Sequence, residues 1–345
     1  MTWLAWRQFR VQGAALYALL AALAAAFVLL SLPDSTGEAL IQTLSNGGNA
    51  ATLYTVSVLA MLVLPALVGI FWGAPLVARE LEAGTHRLAW TQSISRTRWL
   101  ATRVGLTGLA AVVGAGVLTA LVTWWCGPID DALNAGARGG NGFLEQTRMQ
   151  PPIFAARGIV PIGYTAFAFA LGVAAGTVVR RTVPAMALTL ALFIVVQVAA
   201  PNVRAQLGAT ERTTAITPEN MRGIGISGVG PAGVPTGPVT HLTIAIDSPG
   251  AWEIANEPLD RAGNVTDTLP NWVIGCVPAR EFRPPGIESD PGCFDRLASL
   301  GVKQHLVFMP ASRYWTLQAY ELIGFLLLAA ALLGGTFWWL RHRVS

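Results

Sequence analysis

The sequence predicts an all-α membrane protein with six transmembrane helices and a small, mostly β extracytoplasmic domain between the fifth and sixth. Three observations carry this expectation. Of the 345 residues, 53% are hydrophobic and only 12% charged, about half the charge of an ordinary soluble domain. Six apolar runs reach the roughly 20 residues that a helix needs to cross a hydrocarbon core. Between the last two lie about 115 residues rich in Gly, Pro, Thr and Asp, too polar to enter lipid.

The elements follow in order. In the opening MTWLAWRQFR, Trp3, Leu4 and Trp6 fall near Phe9 while Arg7 and Arg10 turn elsewhere. That spacing fits an amphipathic helix over 1–12 lying in the membrane interface; it also fits a plain Trp and Arg anchor for the first span. The first apolar run, 13–32, follows these arginines as a secretory signal would. It exceeds the usual h-region of about 7–15 residues and five more runs come after it, so it reads as a retained signal-anchor. The remaining runs are 53–77, 100–126, 159–179, 183–200 and 317–340, which places spans one to five in 13–200, the outside domain in 201–315, and the sixth span with its tail in 316–345. Only Arg180, Arg181 and Thr182 separate the fourth and fifth runs, as in a tight hairpin.

The net charge of +4 comes almost wholly from arginine. The arginines sit at the ends of apolar runs and not in one patch, which argues against nucleic acid as a partner. With both termini cytoplasmic, Arg7, Arg10, Arg79, Arg87, Arg96, Arg98, Arg103, Arg180, Arg181, Arg341 and Arg343 all lie inside, whereas the outside loop 33–51 has no Lys or Arg. This is the positive-inside pattern of a multi-pass protein of the cell membrane, with lipid as its surroundings. Gly172 and Gly176, Gly105 and Gly108, and the pair Gly334 and Gly335 are placed for close helix packing, within the chain or between subunits.

In the outside domain, VTHLTIAID (239–247) alternates as a strand does, and NWVIGCV and HLVFMP read as shorter strands. GIGISGVGPAGVPTGP reads as loop. Cys276 and Cys293 are expected to form a disulfide, since an extracytoplasmic setting preserves such bonds; the other reading is two buried thiols. Cys126 has no obvious mate, and no metal-ligand spacing accompanies the cysteines. Asn264 opens the sequon Asn264-Val265-Thr266, suited to a surface loop.

The most polar segment between spans is ARELEAGTHRLAWTQSISRTRW, 78–99. It reads as helix from Glu80, a break at Gly84 and Thr85, a second short helix through His86, Arg87, Leu88, Trp90, Thr91 and Gln92, and a restart at Ser95 or Thr97. Leu88 and Trp90 ringed by His86, Arg87 and Gln92 make an apolar knob fit for a groove on a cytoplasmic partner. Topology alone accounts for Arg79, Arg96, Arg98 and Arg103. It does not account for Glu80 and Glu82, because acids gain nothing at an inner leaflet.

At Glu80, Glu82, Gly84, Thr85 and Arg96 the segment resembles the cytoplasmic loop of ABC-2 type transporter permeases, roughly E-R-E-x-G-T, a short apolar helix, P-x-S/T-R and a basic start to span three. Arg79 stands where the first Glu often appears, and Ser93 near the usual proline. The GTHRLAWTQS form is similar to permeases of Arg-rich actinobacterial genomes. The resemblance is strongest over about the first 105 residues. It implies a type V exporter-like subunit with six spans, paired with a second permease copy or a paralogue, each above a cytoplasmic ABC ATPase that holds the ATP and Mg; this chain itself would bind no cofactor. Coupling to that ATPase falls to Glu80, Glu82, Gly84, Thr85, His86, Arg87, Leu88, Trp90, Thr91, Gln92 and Arg96.

The chain has no G-x-x-x-x-G-K-[ST] loop and no Ser/His/Asp or HExxH arrangement; His86, His241, His305 and His342 are scattered. A non-catalytic, mechanically driven subunit is expected. Its spans offer few polar residues for a cargo path: Gln197, Gln318 and Glu321. Glu321 fits equally an ion pair with Arg313 at the membrane boundary. So apolar an interior suits the export of a hydrophobic compound, peptide or lipid. The alternative is a related subunit that senses or transmits force through its outside domain without transporting anything.

Overall fold

The structure is a computed structural model that describes residues 14, 18, 21–22, 24–27, 29, 37–83, 96–135, 137, 146–227, 237–277, 290 and 292–343. The chain forms two compact units, Met1–Arg204 with Ser312–Ser345, and Ala205–Ala311. The helical unit contains α1 (Gly37–Ser45), α2 (Asn49–Glu82), α3 (Arg96–Trp125), α4 (Gly127–Asn134), α5 (Pro151–Ala156), α6 (Val160–Val179) and α7 (Thr182–Gln206). The short α8 (Cys293–Ser299) belongs to the smaller unit, and α9 (Tyr314–Arg343) returns to the helical one.

Among the described residues, α2, α3, α6, α7 and α9 are long and apolar enough to cross a membrane. They correspond to the second through sixth predicted spans. Of the first run, Ala14, Ala18, Ala21, Ala22, Leu29 and residues 24–27 are helical, and Phe27 is buried. Residues 1–12 lie outside the described residues. The most apolar window of α6 is 72% buried, against 17% for α7 and α9. Helix α6 is therefore the hub of the unit, while α7 and α9 turn long apolar faces outward.

Helix α2 is continuous but changes pitch at Gly69–Gly73, where it makes a π turn one turn after Pro65. There α6 presses against it, backbone to backbone. A Cβ on Gly69 would stand 2.6 Å from the Ala168 carbonyl oxygen, and one on Gly73 2.5 Å from that of Phe169. In return, a Cβ on Gly172 would stand 2.7 Å from the Ala74 nitrogen and overlap the Gly69 oxygen, and one on Gly176 would overlap the Ala74 oxygen. Without a hydrophobic drive between helices in lipid, such interlocked glycines permit the close contact that holds a pair together. Among the described residues, nothing lies within 4 Å of a Cβ at Gly105, Gly334 or Gly335, so the close packing predicted for those three is not made with them.

At the end of the unit opposite 78–99, α1, α4 and α5 form a cap. Leu40, Ile41 and Leu44 of α1 join Ile129 and Leu133 of α4, Ile153 of α5, Trp125 and Phe27 in one core. Pro128 and Pro151 start α4 and α5, where a missing N–H costs nothing. At the other end, Val77 and Leu81 of α2 pack with Leu100 and Val104 of α3, Val173 of α6 and Leu340 of α9.

The smaller unit holds β1 (Thr210–Ala215), β2 (Met221–Ile226), β3 (Val239–Ile244), β4 (Trp252–Leu259) and β5 (Lys303–Met309). One antiparallel sheet has the order β1-β5-β4 and a second is the β2-β3 pair. Buried Asn256 bonds the two together: its amide donates to the Ile244 carbonyl (3.0 Å) and its oxygen accepts from the Ile244 N–H and from Gln304 Nε2. Leu242 and Ile244 point into the core with Leu306, Phe308 and Val273, as alternation in 239–247 predicts, and Val239, beyond a register shift, is buried there as well. Two expectations are corrected. NWVIGCV is not a strand but a 3-10 turn, Asn271–Cys276; it follows Pro270, and a contiguous apolar run carries no strand period. Part of the expected loop, residues 223–226, belongs to strand β2, whose glycines sit at register shifts and let His241 approach Gly225 closely. Cys276 and Cys293 are disulfide-bonded, tying the 3-10 turn to α8.

Candidate functional site

Two polar places stand out in the helical unit. The first is the end that bears the 78–99 segment. Helix α2 ends at Glu82, and both its terminal acids have partners in this chain. Glu80 forms an ion pair with Arg103 of α3. One oxygen of Glu82 accepts from both the N–H (2.9 Å) and the hydroxyl (2.7 Å) of Thr182, the first residue of α7. A carboxylate at that position fills donors that a helix start leaves open and opposes the positive end of its dipole. The α6–α7 turn that presents Thr182 closes on Arg180, held in the left-handed region at φ 58° with its N–H on the Gly176 carbonyl. These contacts supply the structural reason for Glu80 and Glu82 that topology alone lacks. They tie the end of α2 to α3 and α7 at once.

Of the predicted coupling residues, Gly84, Thr85, His86, Arg87, Leu88, Trp90, Thr91 and Gln92 lie outside the described residues. Arg96 begins helix α3.

The second place is the opposite end, where the chain breaks between α5 and α6. Gly158 sits there at φ 69°, and a Cβ on it would stand 2.6 Å from Gln318 Oε1 and 2.8 Å from the Tyr314 hydroxyl. Six peptide groups around the break are bonded to side chains. Thr119 of α3 donates its hydroxyl to the Gly158 carbonyl (2.7 Å), and the Gly158 N–H donates to Thr123 one turn on (3.0 Å). Gln318 of α9 accepts from the N–H groups of Ile159 (2.8 Å) and Val160 (2.9 Å), and donates to the carbonyls of Phe154 and Arg157 (3.1 Å each). Its whole hydrogen-bonding capacity is thereby spent on one helix break, as buried irregular backbone requires.

Two buried ion pairs flank the break. Arg157, fully buried, pairs with Asp130 of α4 and lies 5.0 Å from the Tyr54 ring centre. Arg204 of α7 is also fully buried; its Nε and Nη2 reach the two oxygens of Glu321 at 2.8 and 3.2 Å, and its guanidinium stacks 3.7 Å over Phe154. Half-buried Arg148 covers Tyr314 at 4.7 Å, and Tyr314 meets Phe154 edge to face. The expected partner of Glu321, Arg313, is a correction. Arg313 is exposed in the turn before α9, about two helical turns and so roughly 12 Å along the axis from Glu321, while α7 brings Arg204 alongside. Gln197 is half-buried and points its amide at the Leu62 carbonyl, 3.5 Å away.

Sequence reasoning finds Gln318 and Glu321 because both are polar within an apolar run. It passes over Asp130, Arg157, Arg204, Thr119 and Thr123, whose partners lie 27 to 117 residues away. The one local sign is Pro151-Pro152 followed by Arg157-Gly158 immediately ahead of an apolar run.

A family model described as ABC-2 membrane transporter related matches residues 9–204, more than half of the chain. No curated protein and no solved structure matches it.

Proposed function

Because the chain belongs to the ABC-2 membrane transporter related family, it is a multi-pass, non-catalytic membrane subunit of an ABC transporter, and we propose that it exports a hydrophobic compound, peptide or lipid. The family implies association with an ABC ATPase. In this reading both termini and the 78–99 segment are cytoplasmic, and the short helix from Thr85 to Gln92 seats in that ATPase, which binds the ATP and Mg. A second permease, copy or paralogue, completes the pore. The exterior carries the unit Ala205–Ala311 and the capped polar centre.

One observation carries the proposal: a single 34-residue helix, α2, runs from the capped end to the 78–99 segment, and its last turn is tied to both α3 and α7. A displacement of the segment moves three helices together. Through the glycine contact at the π turn it also moves α6, whose N-terminal end forms the clamped break. Helices with two packed arrangements, biased by nucleotide, are the usual means of such switching. In this reading the ion pairs and Gln318 hold the exterior end shut.

The test is Trp90→Ala in the full complex. Cargo-stimulated ATP hydrolysis in proteoliposomes is expected to fall, or the ATPase to leave the purified complex, with membrane insertion unchanged. Full stimulation in that variant sinks the docking assignment. Thr182→Val serves as a companion, removing one of the two bonds to Glu82 without touching the docking helix. Should a stoichiometric ATPase hydrolyse ATP with no cargo dependence at all, the non-transporting reading through the Ala205–Ala311 unit takes its place.

A further inference from the structure

Helix α2 carries one residue more in its turn Gly69–Gly73 than an α turn would hold. There the Ala74 N–H donates to the Gly69 carbonyl, five residues back instead of four. Two features of the chain favour that form. Pro75 has no N–H to give the Phe71 carbonyl, and its ring would press on that same carbonyl in an α turn. Helix α6 then fits the widened turn. A Cβ on Gly172 would meet both ends of the π bond, the Gly69 oxygen and the Ala74 nitrogen, and one on Gly176 would meet the Ala74 oxygen. Phe71, in the middle of the turn, is exposed.

An α-helix turns about 100° and rises about 1.5 Å per residue. Were the extra residue taken up into α form, everything after the turn would rotate and slide by that amount, so that each residue takes the place its successor now holds. Arg79 would replace Glu80 opposite Arg103, and Leu81 would replace Glu82 beside Thr182. Trp72 would swing towards the place of Gly73, where a Cβ stands only 2.5 Å from the Phe169 carbonyl oxygen. The slip therefore requires α6 to move off. The π turn, the α6 contact and both acid contacts at the end of α2 hold or fail together.

We propose that the turn Gly69–Gly73 is a two-form hinge: π with α6 packed on it, as described, and α with α6 withdrawn and the end of α2 slipped by one residue. This rests on the reading that the 78–99 segment transmits movement, and names the joint through which it does so. In the slipped form Arg79 faces Arg103, two like charges that repel, and Leu81 offers Thr182 no acceptor. The end of α2 thereby comes free of α3 and α7. Withdrawal of α6 carries its N-terminal end, the clamped break, with it. One exchange of hydrogen bonds in α2 thus links the two polar places of the helical unit, as a discrete shift between packed helices does.

The full-length chain is reconstituted in lipid nanodiscs without ATP or ATPase and carries one of two cysteine pairs, joined by a short thiol-specific reagent. The first pair is Glu80→Cys with Arg103→Cys, the second Arg79→Cys with Arg103→Cys. The parent is expected to link the first pair. Pro75→Ala returns the amide that an α turn uses and is expected to raise linking of the second pair about tenfold, the effect of one backbone hydrogen bond on an equilibrium. Gly172→Ala, which pries α6 off, acts in the same direction; should either variant not fold, the other decides. Deletion of Phe71 removes the spare residue, so the turn closes as α with both halves of α2 still in register. That variant is expected to fold, to link the first pair, and to link the second no better when Pro75→Ala or Gly172→Ala is added. Deletion of Leu59, in the regular part of the same helix, turns one half against its neighbours and is expected to lower the yield of monodisperse protein several-fold. If deletion of Phe71 does equal damage, the turn holds no spare residue and the proposal falls. It falls also if the second pair never links, or links alike with and without Phe71. Because neither nucleotide nor ATPase is present, that failure leaves the docking of 78–99 standing, and failure of the docking test leaves the hinge standing.

Discussion

Replacing Gly172 by alanine puts the glycine contact between α2 and α6 to a direct test. The added Cβ would lie 2.7 Å from the Ala74 nitrogen and inside the Gly69 oxygen. Both are backbone atoms, which cannot rotate away as a flexible side chain would. Ordinary contact therefore requires the helices to part by roughly 1 Å, which forfeits a quarter to a half of the dispersion attraction along the seam. Overpacking of this kind costs about 1–3 kcal/mol, and the gain from alanine's better helix propensity offsets at most about 1 kcal/mol. Gly105→Ala and Gly334→Ala make the same chemical change in α3 and α9 where, among the described residues, nothing lies within 4 Å. They are expected to be neutral or mildly stabilising. Equilibrium unfolding in a detergent titration reads the three variants side by side. If Gly172→Ala is as stable as the parent, or if all three lose stability alike, the contact is not the clamp described here.

Two further outcomes are expected. Glu321→Ala leaves the buried Arg204 guanidinium without its carboxylate, which costs about 3–5 kcal/mol, whereas Arg204→Met with Glu321→Leu removes both charges and recovers most of that loss; thermal unfolding of the single and double variants decides, and equal losses refute the pairing. In the smaller unit, Asp260 accepts from the backbone N–H groups of Asn264 and Ala262 (2.9 and 2.8 Å), and these bonds, that of Asn264 foremost, lower its pKa. Its contribution is then fully present above the unfolded value of about 3.9 and is lost as pH falls through the lower folded value. Hydrogen exchange at the Asn264 amide is expected to quicken over that acid range in the parent and to be fast and pH-independent, once corrected for intrinsic rates, in Asp260→Ala.

The clearest lesson about legibility lies in Glu80 and Glu82. Their position at the end of an apolar run marks them as purposeful, but their partners, Arg103 and Thr182, are 23 and 100 residues distant, and no local period connects them. Gln318 shows the same division. Its polarity within α9 singles it out, yet a side chain bound on all sides to the backbone of the α5–α6 break is a brace, which no inspection of α9 alone reveals.

Length and polarity of segments are properties of a chain read locally, and from them alone come the membrane-crossing helices, the tight Arg180 turn and the polar insert before α9. Which face of each helix is buried is another matter. The spans are apolar all round, so no periodic stripe marks an inner side, and lipid and protein interior look alike to the side chains. Only the packed structure could decide that α6 is the hub, that Gly69 and Gly73 meet Gly172 while Gly105 and Gly334 meet nothing among the described residues, and that Arg157 and Arg204 are buried against carboxylates. Those outcomes depend on backbones approaching from distant parts of the chain, and the energy of a charge or a missing side chain is set by what approaches it.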